Sequence, residues 1–151
     1  MQNIFQTSEA ETFIDRINNL NTDTKQLWGK MTVAQMLAHC NVTYEMVYEE
    51  DKHKKPNFFL KLILKMFIKN TVVSEKPYDK NGRTAPQFIK TEIHDFEKEK
   101  ARLIGYIRKT QQLGEAHFEG KESHSFGFLT SKEWNNSFTK HLNHHLEQFG
   151  A

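Results

Sequence analysis

The stretch "TKHLNHHLEQFG", residues 139–150, places His141, His144 and His145 close together near the end of the chain. Imidazole is the commonest side-chain metal ligand and the group most easily charged near neutral pH. On a helix advancing about 100° per residue, with Trp134 at zero, Phe138 falls at about +40° and Phe149 at about +60°, which defines an apolar face. His141 falls at about −20° and His145 at about +20°, in the middle of that face, while His144 sits at its edge at about −80°. The pair H-x-x-x-H is one helical turn apart, so both rings can converge on one ion. The same spacing serves the zinc-binding helix of H-E-x-x-H proteases, although the glutamate base is missing here. Two other readings stand beside the metal one: a hydrogen-bonded pair packed in the core, or a solvated pair on a helix end.

Two ligands are rarely enough, and His39 is the natural third. It lies mid-helix in "VAQMLAHCNVTYEM", about 60° from the line of Met36 and Val47 and on the inward side. Without an ion, three inward imidazoles would each need a polar partner, because burying an unpaired polar group is costly. Cys40 adjoins His39 in sequence but points about 100° away on the helix. It reads as a small core residue rather than as a fourth ligand or a nucleophile paired with His39.

These residues need rigid elements, and capping boxes mark three helix starts. Ser8 with Glu11 opens a first helix through Phe13, Ile14, Ile17 and Leu20. Thr32 with Gln35 opens the helix of His39, and Thr130 with Glu133 opens the helix of His141 and His145. A further helix, Thr91 to Gln112, carries Ile93, Phe96, Leu103, Ile104 and Ile107 at helical spacing, with Lys100 on the same face. A short accessory helix, Phe58 to Ile68, lies in "PNFFLKLILKMFIKN", where Lys61, Lys65 and Lys69 form one narrow stripe. It caps the other helices with its lysines in solvent, or it docks on a membrane surface or a partner. "VSEKPYDKNGRTAPQF" and "GEAHFEGKESHSFGFL" read as loops. The expected class is all-α: a four-helix bundle with one accessory helix, residues 1–151 forming one domain.

Composition excludes several classes of function. The net charge is +2, from 21 basic and 19 acidic residues, which gives no sign of a nucleic-acid partner. A single cysteine allows no intrachain disulfide and points to a reducing cytoplasm. The N-terminus lacks the pattern of a secretory signal, and no run reaches the roughly 18 apolar residues of a membrane span.

"HLNHHLEQFG" resembles the C-terminal metal motif of the DinB-like (YfiT-like) superfamily of metalloenzymes, in which a glutamine follows the second histidine by three positions, as Gln148 follows His145. "LWGKMTVAQMLAHC" resembles the second-helix signature of that superfamily. The similarity is greatest to a branch with an H-P-F-F-G-like loop, a following E-W, and K-H-L-x-H-H-L-x-Q-F-G. Here these are "HSFGFL" from His124, Glu133-Trp134, and Lys140 to Gly150, with "TAPQF" before the third main helix. The loop lacks the proline and one phenylalanine of that pattern, and no role is carried over to His124.

The resemblance implies a bundle of up-down-down-up type, often a homodimer, binding a divalent ion through His39, His141 and His145. Three neutral histidines suit zinc or nickel, and three protein ligands leave coordination positions for water or a small-molecule substrate. Some members resemble S-transferases that use a low-molecular-weight thiol, and others are hydrolases or isomerases. The alternative is a non-enzymatic metal-binding or stress-response protein. Gln35, Tyr44, Glu45, His144 and Gln148 lie near the three histidines on their helices and are the candidates to orient an imidazole through its second nitrogen.

Overall fold

The computed structural model describes residues 2–151. It is predominantly helical, with four long helices, two short ones and one small hairpin. The order is α1 (Thr7–Asn18), α2 (Val33–Tyr48), α3 (Phe58–Phe67), α4 (Lys69–Val73), a 3-10 turn (Pro86–Phe88), α5 (Phe96–Phe118), the hairpin strands β1 (Lys121–Ser123) and β2 (Gly127–Leu129), and α6 (Ser131–Gln148).

Helix α2 is central. Its buried residues include Met36, Leu37, His39, Cys40, Asn41, Tyr44 and Glu45, which lie on every side of the helix. A helix covered all round has to be surrounded, and α5, α6 and the 3-10 turn all pack on it. The core joins Phe13, Ile14 and Ile17 of α1 with Met36, Leu37 and Tyr44 of α2, Leu103 and Ile107 of α5, and Phe138, Leu142 and Leu146 of α6. Aromatic packing is concentrated at Phe138, whose ring stacks on Tyr44 at 5.0 Å and Trp134 at 5.4 Å and meets Phe118 edge-on at 5.6 Å.

The boxes at Thr32 and Thr130 form as the sequence implies. Each threonine accepts from the backbone N–H three residues on, and the Gln35 or Glu133 side chain accepts in return. The box at Ser8 does not form. Burial of Ile4 and Phe5 draws the chain in earlier, so α1 starts at Thr7 and the Gln6 carbonyl accepts from Glu9 and Ala10. Ser8 is then already inside the helix, where a residue cannot adopt the extended backbone of a cap.

The helix expected from Thr91 starts instead at Phe96, because Asp95 caps it by accepting from the Lys98 N–H at 2.9 Å. Ile93 is left outside the helix and fully exposed. Gly114, at φ +72°, interrupts α5 close to the expected end at Gln112, and a last helical segment runs on to Phe118. The Lys100 ammonium donates to the carbonyls of Asn18 and Leu20 at 3.2 and 3.3 Å, and so closes off the end of α1. That explains a lysine on the face of Leu103 and Ile107.

The expected accessory helix forms as α3, one residue shorter, and a second short helix, α4, follows it. Their lysines are not simply in solvent: Lys61 pairs with Glu122 at 2.5 Å and Lys69 with Glu133 at 2.7 Å. The second expected loop contains the β1–β2 hairpin, in which Glu122 stands opposite Phe128. Three-residue strands are too short to leave a period in the sequence.

Candidate metal centre

His39 on α2 faces His141 and His145 on α6. The ring centroids are 5.0 Å apart for His39–His141, 4.4 Å for His39–His145 and 4.8 Å for His141–His145. His39 and His145 are buried, and His141 is partly open. One ring nitrogen from each lies within 4.8 Å of the others. The Nε2 atoms of His39 and His141 are 3.0 Å apart. Tetrahedral zinc, with Zn–N of about 2.0–2.1 Å, needs its nitrogens about 3.3 Å from one another. The cluster could hold a metal ion, and no pair has to close by more than about 1.5 Å to reach that spacing.

The second nitrogen of each ring is engaged. His39 Nδ1 donates to the Phe88 carbonyl at 2.8 Å. Its Nε2 is therefore a bare lone pair. The Gln148 amide donates through Nε2 to the Trp28 carbonyl at 2.8 Å, so its Oε1 accepts from His145 Nδ1, also at 2.8 Å. That leaves His145 Nε2 bare as well. His141 Nδ1 lies 3.0 Å from the Thr43 hydroxyl, which can either donate or accept. When Thr43 accepts, all three Nε2 lone pairs converge, an arrangement that repels itself unless a cation sits among them. When Thr43 donates, His141 carries its proton on Nε2 and gives it to His39. The donor set thus could hold a divalent ion, and the Thr43 hydroxyl can pair with His141 in either tautomer. An engaged second nitrogen is the usual condition of a metal-binding histidine.

The same burial keeps the rings neutral, as a ligand must be. Burial lowers His39 to about 4, against the opposing effect of its bond to the Phe88 carbonyl. Burial, reinforced by His39, lowers His145 to about 3. His141 is held well below the usual histidine range by burial and by the neighbouring His145 and His39.

The cluster lines a cavity of about 640 Å³. The walls are largely apolar, with Met46, Leu60, Leu64, Ile68 and Trp134 among them. That size and character suit a small organic molecule.

Among the other candidates, Gln148 contacts His145 directly. Gly29 makes this possible: at φ +81°, a Cβ there would lie 2.5 Å from Gln148 Nε2. His144 lines the cavity with its ring edge-on to His145, between Trp28 and Tyr78, and makes no hydrogen bond to the three histidines. Gln35, Tyr44 and Glu45 are engaged elsewhere. Gln35 completes the cap of α2 and donates to the Glu92 carbonyl. Tyr44 stacks on Tyr106 and Phe138. Glu45 pairs with Lys52, His53 and Arg102. Cys40 is buried with its thiol 3.7 Å from the Met36 sulfur, and burial pushes that thiol up, which makes it unreactive at neutral pH. His124 also lines the cavity, but it bonds to Ser125 and to the His53 carbonyl, apart from the three histidines.

Neither Thr43 nor Phe88 stands out among the residues that the sequence marks for the site. Thr43 had a signal, since it follows His39 by one turn on α2. The Phe88 group is a backbone carbonyl, which no side-chain pattern marks.

Residues 3–151 match the sequence family described as a protein of unknown function, DUF1569. The chain belongs to that family. No curated protein matches the chain, and no solved structure does. Among the described residues no helix is long and apolar enough to cross a membrane.

Proposed function

We propose that this DUF1569 protein is a divalent-metal-dependent enzyme acting on a small molecule, with His39, His141 and His145 as the ligands. The observation that carries the reading is the arrangement of the three rings, with each Nδ1 engaged and one nitrogen of each ring within 4.8 Å of the others. We read the four long helices as a four-helix bundle of DinB-like type, which agrees with the resemblance of "HLNHHLEQFG" and "LWGKMTVAQMLAHC" to that superfamily.

Zinc or nickel bound there would lower the pKa of a coordinated water or thiol enough to form a nucleophile at neutral pH. The protein's own groups do the rest. Phe88, Thr43 and Gln148 hold the rings in orientation. The apolar walls exclude water from around a bound substrate. His144, half-buried at the cavity edge and lowered by that burial, stands where it can exchange a proton with a molecule in the cavity.

Within this reading we favour transfer of a low-molecular-weight thiol to a small electrophile. The test is thiol consumption with a panel of electrophilic acceptors, comparing zinc- or nickel-loaded protein with chelated protein and with His145→Ala. Loaded wild type should consume thiol, and the other two should fall to the uncatalysed rate. Equal rates in all three across the panel would replace the thiol-transfer reading by a metal-binding protein without that activity.

A further inference from the structure

The apolar surface of α3 is not needed by the three histidines. None of its ten residues is buried. Phe58, Phe59, Met66 and Phe67 are between 66% and 77% exposed, and Leu62 and Ile63 about half. On the helical wheel these six fill one continuous half of α3. Leu60, Leu64 and Ile68 fall on the opposite side and line the cavity. Lys61, Lys65 and Lys69 run along one border between the two. Phe128, 72% exposed, stands across the hairpin from Glu122, the partner of Lys61.

We propose that α3 is a membrane-surface helix: it lies flat on an anionic lipid bilayer with Phe58, Phe59, Leu62, Ile63, Met66 and Phe67 among the acyl chains. An amphipathic helix with aromatic residues on the apolar face and lysines on its border has this mode of binding. The charge around it selects the occupant. From Lys52 to Val73 the sequence has six lysines and no acidic residue. Lys52, Lys55, Lys61 and Lys69 are paired internally, whereas among the described residues Lys54 and Lys65 have no acidic partner. A second copy of the chain docked by a two-fold contact through α3 would set these lysine-rich segments against each other. Anionic headgroups complement them.

The test is flotation of the full chain with vesicles of phosphatidylcholine alone or with about 30% phosphatidylglycerol, in low salt and in about 1 M salt, where the Debye length falls to about 3 Å. Wild type should float with the anionic vesicles and bind neutral ones more weakly. The double variant Phe59→Ser/Phe67→Ser and, separately, Lys54→Glu/Lys65→Glu should each bind the anionic vesicles about tenfold more weakly or less. All four residues are exposed, so helical content and zinc binding should not change. If the serine variant fails to fold, the charge variant decides. Wild type remaining with the soluble fraction on anionic vesicles would overturn the proposal. So would a wild-type dimer that dissociates in Phe59→Ser/Phe67→Ser while vesicle binding is absent, since the face would then be a self-association surface.

Discussion

At the scale of single residues, the chemistry lies as much in the partners of the histidines as in the histidines. Thr43 is the sharpest case, because its hydroxyl can serve His141 in both tautomers. Thr43→Val keeps the shape and removes the hydroxyl, so His141 Nδ1–H is left unpaired when an ion is bound. Zinc affinity should fall about 10- to 100-fold with the fold intact, read by competition with a chromophoric chelator. Unchanged affinity would show that the ring needs no such support. The three histidines were legible in the sequence because wheel geometry and an apolar face are local properties. Gln148 was legible by its spacing from His145. Phe88 was not, because its contribution is a carbonyl brought in by a loop 49 residues away from His39 in sequence.

At the scale of elements, two helices carry the site and a polar cluster holds one of them in place. Glu45 on α2 is buried and bonded to Lys52, His53 and Arg102, the last from α5. Burial alone would raise its carboxyl, but the hydrogen bonds from Lys52, Arg102 and His53 hold it down to about 2, below an ordinary value of 4.5. The folded state therefore binds fewer protons than the unfolded chain across that interval. The stabilisation is fully present above about pH 4.5 and is lost as pH falls toward about 2. Because Lys52 and Arg102 are partly exposed and screened, Glu45→Gln should cost only about 2 kcal/mol at pH 7. Urea midpoints measured against pH should show the gap between wild type and Glu45→Gln narrowing below pH 4.5. A constant gap would mean that the carboxylate charge contributes nothing. Capping boxes and helical periodicity made α2 and α6 legible to within a residue or so. They failed where tertiary contacts decide the boundary: Ile4 and Phe5 at the start of α1, Asp95 at the start of α5, and a hairpin too short to carry a pattern.

At the scale of the whole molecule, α2 and α6 supply the three histidines, and the long segment before α5 reaches back across α2 to add Phe88. Helical class was legible because four segments show strong apolar periodicity. The cavity was not, because its walls come from α2, α3, α4, α6, the hairpin and the Pro86–Phe88 turn, elements far apart in sequence. The outward apolar face of α3 was visible only as a run of apolar residues and lysines, since sequence alone cannot say which side is covered. The central claim is that these parts hold one metal ion between α2 and α6. Its most direct test is elemental analysis of tag-free protein, for wild type and His145→Ala side by side, before and after incubation with zinc or nickel. One equivalent of metal in wild type, lost in His145→Ala with the fold retained, is the predicted result. No metal in wild type even after incubation, or the same content in both proteins, would contradict the account and return the three histidines to core packing.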